Sequence, residues 1–339
     1  MDRQSDKDAL TAAWRALAGD KERDGWNTIH LTSGAPCPVL AGRHFPGNEE
    51  AILVGFRSTA IPTSEHLPQG KGFSVTKIES RLIDEAHSWI SLARQSSGSQ
   101  EIFLMMADDV ISTLSMRSQA SEPELLSIFL GRIRAWQSFM QRDTDTVLGP
   151  AAEVGLIGEL EVIRALLEML VPASIVLEGW RGPDEGLQDF VFGTGAIEVK
   201  TTLTVGEFPA IIGCLNQLDA TLVRPLFLAA IRLRLSDSGA SLSSKVANIR
   251  KMLTSEEAAL GAFNNLLIRA GYLDSMCARY TRCFEPLSIK MLTIDERFPK
   301  LTHSNVSREI RDARYIIDLD LIDGSDVTLQ VALQQLGVI

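Results

Sequence analysis

No stretch of this 339-residue chain approaches the ~18 consecutive apolar residues of a membrane-spanning helix. The opening MDRQSDKDAL also lacks the apolar centre of a secretory signal. These absences lead to the expectation of a soluble, cytoplasmic protein without membrane contact. Cysteine is scarce: Cys37, Cys214, Cys277 and Cys283 show neither Cys-x-x-Cys nor zinc-finger spacing, so nothing demands an oxidising compartment or structural zinc. Cys214 lies in an apolar run and reads as a core residue. The histidines (His30, His44, His66, His87, His303) never stand at i, i+4, which removes the zinc-protease motif. No Gly-x-Ser-x-Gly marks a hydrolase nucleophile. QGKGF at 69–73 has Gly70-Lys71 but carries Glu65 where a phosphate loop needs its earlier glycine. Aromatic residues are 6% of the chain, so its cores should be mainly aliphatic.

What is present is ordinary globular composition, 45% hydrophobic and 22% charged, with length enough for two domains. The net charge of −10 gives no whole-molecule attraction to nucleic acid. Its distribution is uneven. Residues 151–220 hold 3 basic and 11 acidic side chains, whereas residues 221–315 hold 15 basic and 9 acidic. An acidic segment followed by a basic one fits a cation site beside an anion-binding surface; scattered solvated charge is the plainer alternative. Within the basic segment Arg297, Lys300, Arg308, Arg311 and Arg314 could contact phosphates if they share a face. Otherwise they form a solvated surface partly paired with Glu309 and Asp312.

The pattern predicts a helix over SDKDALTAAWRALAG, then strands at WNTIHL, AILVGF, FSVTKI and WISLAR. Phe103, Met106, Val110 and Leu114 form one helical face, and PELLSIFLGRIRAWQSFMQR forms a longer helix. Residues 1–150 thus read as a mixed α/β region, with target or partner recognition as its expected role. QRDTDTVLGP at 141–150, ending in Gly149-Pro150, is the expected boundary. The second region, 151–339, opens with the helix EVGLIGELEVIRALLEML. Strands are expected at IVLEGW, LQDFVF, AIEVKTTL, FPAIIGCLNQL and PLFLAAIRLRL. Helices follow at SLSSKVANIRKML and SEEAALGAFNNLLIRAG, and YIIDLDLI closes as a strand.

Two apolar runs in that region contain charges that need partners, because a buried unpaired charge is costly. GTG at 193–195 predicts a hairpin turn between LQDFVF and AIEVKTTL; a nucleotide-binding loop would continue into G-x-x-G and a helix. Strand alternation puts Glu198 and Lys200 on one face with Ala196 and Thr202, and Ile197, Val199 and Thr201 on the other. A hairpin brings Asp189 to ~5 Å from Glu198. Two carboxylates so close repel, and one stays protonated unless a cation lies between them. Oxygen ligands of this kind suit magnesium or manganese, and Lys200 could activate water and stabilise a phosphate. Among nine lysines, Lys200 alone has an acid two residues earlier. The alternative is a surface strand with a cross-strand ion pair. On the preceding helix, Leu156, Leu160, Ile163, Leu166, Leu167 and Leu170 form the apolar stripe, with Glu153, Glu161, Arg164 and Glu168 opposite. Glu159 projects inside the stripe, between Leu166 and Leu170. A metal site or Lys200 would satisfy it there; an edge residue reaching for solvent is the other explanation.

Helix-Glu, Asp, then Glu-x-Lys is the order of the PD-(D/E)XK nuclease superfamily. GLIGEL (155–160), WRGP (180–183), DF (189–190), EVKTT (198–202) and QL (217–218) together resemble one prokaryotic branch, the "putative PD-(D/E)XK motif protein" family. The helix around Trp136 is similar too, so the resemblance extends over nearly the whole chain. It implies a restriction-endonuclease-like mixed sheet flanked by helices over 151–339. It further implies a metal site formed by Asp189, Glu198, the Val199 carbonyl and Glu159, with Lys200 completing the catalytic set. Gln217 matches a family position to which no role is given, and Trp180 and Pro183 are expected in packing and turns. Gln188 stands where the superfamily name has proline, without loss of a ligand. The implied activity is magnesium- or manganese-dependent endonucleolytic hydrolysis of DNA in restriction or defence, with protein partners of a defence system and a homodimer expected. The alternatives are a non-catalytic nucleic-acid or protein-binding subunit and a phosphohydrolase of small nucleotides.

Overall fold

The structure is a computed structural model describing residues 3–19, 24–32, 34–141, 148–184 and 186–339. The chain divides into two compact units, Met1–Asp143 and Thr144–Ile339. Residues 142–147 of the expected boundary stretch lie outside the described residues.

The first unit runs α1 (Arg3–Leu17), β1 (Gly25–His30), β2 (Val39–Phe45), β3 (Glu49–Phe56), β4 (Phe73–Ile78), β5 (Ser88–Arg94), α2 (Gln100–Ser115) and α3 (Glu122–Gln141). The five strands form an antiparallel sheet in the order β1-β2-β3-β5-β4. Strand β2 went unread because Gly42 and Arg43 interrupt its apolar pattern. A Cβ at Gly42 would press on Leu53 Cδ1, so a larger residue there would displace that buried side chain. Ser99 starts α2 by accepting the Ile102 N–H at 3.4 Å. Asp109 of α2 receives two bonds from Arg132 of α3, both 2.6 Å, and one from Trp136 Nε1 at 2.7 Å. A fully satisfied charge network of this kind can sit between two helices without an unpaired group.

The second unit comprises α4 (Pro150–Glu168), α5 (Ala173–Gly179), β6 (Phe190–Phe192), β7 (Gly195–Thr202), β8 (Pro209–Ile212), β9 (Leu226–Ser241), α6 (Leu242–Met252), α7 (Glu257–Arg269), β10 (Cys283–Thr293), β11 (Tyr315–Asp318), β12 (Asp326–Val327) and α8 (Leu329–Gln335). Its main sheet has the order β12-β10-β9-β7-β6 and is mixed: β7 and β9 are parallel, and the other neighbours antiparallel. Strands β8 and β11 form a separate antiparallel pair. One face of the main sheet carries Ile197, Val199, Phe227 and Ala229 against α4, α5, α6 and α7. The other carries Ala196, Leu226, Leu228 and Ala230 against β8 and the chain around Leu218.

Five readings change. IVLEGW is not a strand: Ala173, Val176 and Leu177 are buried at helical spacing in α5, and only Trp180 makes an isolated bridge to Phe190. FPAIIGCLNQL is strand only over Pro209–Ile212 and then turns. Strand β10 was missed because Pro286 and alternating polar residues disguise it; the ladder absorbs the proline through a register shift between Pro286 and Ser288. Glu153 and Glu161, expected on a solvated face of α4, are buried. Glu153 pairs with Arg282 at 2.5 Å, and Glu161 with Lys245 of α6 at 2.5 Å and Arg164 at 2.9 Å. The projection assumed one covered face, whereas α4 packs against both β7 and α6. Leu170, placed in the apolar stripe, instead lies past the helix end, exposed and at φ 61°.

Candidate active site

The turn at Gly193-Thr194 closes β6 onto β7 as an antiparallel hairpin, with Phe192 opposite Gly195 and Phe190 opposite Ile197. Gly193 adopts φ 56°, which favours glycine. The register leaves Asp189 one step beyond β6, facing Glu198. Asp189 does not continue the ladder with its backbone. Its Oδ2 accepts the Val199 N–H at 2.7 Å, while its own carbonyl accepts the N–H groups of Arg181 at 2.7 Å and Gly182 at 3.1 Å.

Glu198 and Lys200 share a face of β7, as the alternation predicts. Parallel pairing sets Glu198 beside Leu228 and Lys200 beside Ala230. Lys200 Nζ lies 2.7 Å from Glu198 Oε1, and Gln217 Nε2 donates to the same oxygen at 2.7 Å. The other oxygen, Oε2, is buried with no hydrogen-bond partner among the described residues. Burial and then the nearby Asp189 charge push the Glu198 carboxyl up to about 8, against the pull of Lys200 and Gln217. Burial also raises Asp189, opposed by the Val199 N–H and Lys200.

Glu159 reaches the site from the opposite side of β7. Gly158 allows this approach, because a Cβ there would strike Thr201 Oγ1. The Glu159 carboxylate accepts Trp180 Nε1 at 2.6 Å and, with Asp189, closes around Gly182, where a Cβ would collide with Glu159 Oε2. The structure therefore joins Asp189, Glu198 and Lys200 directly, and places Glu159 beside Asp189 on the α4 side of the sheet.

Three residues noted in the sequence take supporting roles that the sequence did not assign. Trp180, expected only in packing, is a buried donor to Glu159. Gln217 is locked by the Gly213 N–H at 2.7 Å on its Oε1 while its amide holds Glu198. Buried Gln188 donates to the Gln217 carbonyl at 3.3 Å, tying that turn to the segment leading into Asp189. The only advance signal for Gln188 was its departure from proline.

Among the described residues, no three His, Cys, Asp or Glu side chains form a ready-made metal cage. The donor set nevertheless fits a hard divalent cation. It offers two carboxylates that burial and mutual repulsion keep from ionising together, one oxygen without a partner, and the main chain of Val199. Within a strand, the N–H and C=O of one residue point to the same edge, so the Val199 carbonyl lies on Asp189's side of β7.

No helix among the described residues is long and apolar enough to cross a membrane. No curated protein and no solved structure matches the chain. The model of the family described as "Putative PD-(D/E)XK family member" matches residues 10–320, over both units. A mixed sheet flanked by helices, with Asp189 and the Glu198-x-Lys200 pair at one hairpin, accords with that match, and the chain belongs to this PD-(D/E)XK family with its restriction-endonuclease-like fold.

Proposed function

We propose that the protein is an endonuclease that hydrolyses phosphodiester bonds in DNA with magnesium or manganese. One observation carries this reading: Glu198 is buried beside Asp189 with an oxygen that has no hydrogen-bond partner among the described residues, and its carboxyl is pushed up to about 8. Such a carboxyl is costly to keep ionised unless a cation is supplied. Asp189, Glu198 and the Val199 carbonyl would hold that cation, with Glu159 supporting Asp189 from the α4 side. When bound, the metal supplies Lewis-acid polarisation of the phosphate and lowers the pKa of a bound water.

The protein's own groups divide the remaining work. Gln217 and Lys200 fix Glu198 Oε1 and thereby aim Oε2. The Val199 N–H fixes one oxygen of Asp189. Lys200, 2.7 Å from Glu198, offsets negative charge that develops on a phosphate in the transition state. Trp180 holds the Glu159 carboxylate in place. Restriction or defence in the cytoplasm, with a dimer cutting both strands, is the setting this activity fits.

Cleavage of plasmid and single-stranded DNA with magnesium, manganese or EDTA, comparing wild type with Lys200→Ala, tests the reading. Metal-dependent cutting that disappears in the variant is expected. A protein that cuts neither substrate with either metal, or a Lys200→Ala variant that cuts as well as wild type, refutes it.

A further inference from the structure

The connection between β10 and β11 spans residues 294–314, long for a segment without a helix or strand of its own; connections of this length commonly carry function. It is pinned at several points. Asp295 caps the N–H groups of Arg297 and Phe298 at 2.9 and 3.2 Å. Tyr315 Oη accepts the Leu301 N–H at 2.9 Å, and Asn305 bridges the Thr302 N–H and the Lys300 carbonyl, both at 2.8 Å.

The basic residues of this loop fall into two groups. Arg297 is paired with Asp295 at 3.2 Å, and Lys300 donates to the Asp295 carbonyl. Arg308, Arg311 and Arg314 are exposed, and no ion pair is formed by them among the described residues. The two neighbouring acids are otherwise engaged: Glu309 accepts the Ser307 hydroxyl, and Asp312 Oδ1 accepts the N–H groups of Leu215 at 3.1 Å and Ala313 at 2.9 Å. Several arginines elsewhere in this unit are spent on ion pairs, including Arg164, Arg232, Arg234 and Arg282.

The Asp312 bond decides where these charges stand. Leu215 lies two residues before Gln217, whose amide holds Glu198. Pairing of β11 with β8 puts Tyr315 opposite Ile212, so Arg314 falls beside Gly213, whose N–H holds Gln217 Oε1. The arginine segment is thus fastened to the same turn that orients the candidate catalytic carboxylate. Three exposed positive charges within seven residues, without a paired acid among the described residues, leave a positive stretch beside the acidic site. An acidic catalytic pocket likewise needs positive charge nearby to draw in a polyanion.

We propose that residues 308–314 form a phosphate-gripping arm that holds a DNA strand beside the Asp189–Glu198–Lys200 site through Arg308, Arg311 and Arg314. This proposal takes its ligand class from the DNA reading of that site. Binding of the full-length protein to a fluorescein-labelled duplex, followed by anisotropy in EDTA from about 50 to 300 mM salt, tests it independently of cleavage. Each phosphate neutralised contributes roughly −0.9 to the slope of log K against log salt. The triple Arg→Ala variant should therefore lose about 2–3 from the slope and bind roughly tenfold or more weakly at low salt. The triple Arg→Lys variant should keep the slope, because ammonium groups also neutralise phosphates.

An unchanged slope in the triple alanine variant overturns the proposal, as does a wild-type protein that does not bind the duplex at all. Arginine-dependent binding without metal-dependent cutting supports the arm while refuting catalysis. Cutting with an arginine-independent slope does the reverse. All three side chains are exposed, so unchanged melting temperatures should accompany these results.

Discussion

Replacing Glu198 by glutamine probes the buried carboxyl without deleting its shape. In the native protein this group is pushed from 4.5 up to about 8. Below its unfolded pKa both states hold the proton and the shift has no effect. Between the two values the native state keeps a proton that the unfolded chain has released, so rising pH favours unfolding. At about 1.4 kcal/mol per unit, the group removes about 3 kcal/mol of stability between about pH 5.5 and pH 8, and nothing further well above that range. For a unit of 150–250 residues this amounts to a melting-temperature fall of about 6–12 °C. Asp189, also raised by burial, acts in the same direction. A glutamine oxygen can still accept Lys200 and Gln217, while its nitrogen occupies the place of the unpartnered Oε2. Metal-free Glu198→Gln should therefore melt at a more nearly pH-independent temperature and exceed wild type most clearly near pH 8. Thermal unfolding in EDTA across this range measures the difference. Parallel curves for the two proteins would refute the reasoning, because they would mean that the wild-type carboxyl titrates normally.

Magnesium or manganese should raise the wild-type melting temperature, with about 2.7 kcal/mol of stabilisation at a hundred times the dissociation constant. Asp189→Asn should lose most of that rise; an equal rise in calorimetry would put the metal elsewhere. Gly158→Ala places a Cβ against Thr201 Oγ1 and should cost about 1–3 kcal/mol in urea unfolding. Adding Thr201→Ala should recover much of the loss, and no recovery would mean that α4 and β7 are not held apart by this contact. Lys245→Met leaves Glu161, 3% exposed, with Arg164 as its remaining ion-pair partner and should cost about 3 kcal/mol. The double variant Glu161→Leu, Lys245→Met should regain most of that in the same unfolding measurement.

The parts of the fold that were legible share one property: their local pattern and their tertiary environment agree. FSVTKI and AIEVKTTL alternate and become β4 and β7, and the glycines at 193 and 195 mark the hairpin. The Glu198–Lys200 face follows from a period of two that no packing choice can alter. The misread parts depend on what covers them. IVLEGW could be strand or helix until α7 and β6 packed around it. Glu153 and Glu161 looked solvated because Arg282 and Lys245, their partners, are 129 and 84 residues away in sequence. For the same reason the acids of the site were visible one by one, while Trp180, Gln188 and Gln217 were not visible as their supports. A hydrogen bond between residues far apart in sequence leaves no periodicity behind.

The brevity of β6 has a chemical consequence. Had the ladder run on to Gln188, the Gln188 carbonyl would have met the Val199 N–H, and the Asp189 carboxylate would have had no claim on it. Instead the ladder stops at Phe190, and Arg181 and Gly182 take the Asp189 carbonyl on the edge away from β7. The side chain then fills the vacated ladder position. This leaves the Val199 carbonyl at an edge met by a carboxylate rather than by a strand. It also explains why glycine follows Arg181: its N–H must reach Asp189 while Glu159 and Asp189 crowd the space a Cβ would occupy. The WRGP and DF motifs are therefore two halves of one device that ends a strand early, and the oxygen ligands proposed for the metal gather where the ladder stops.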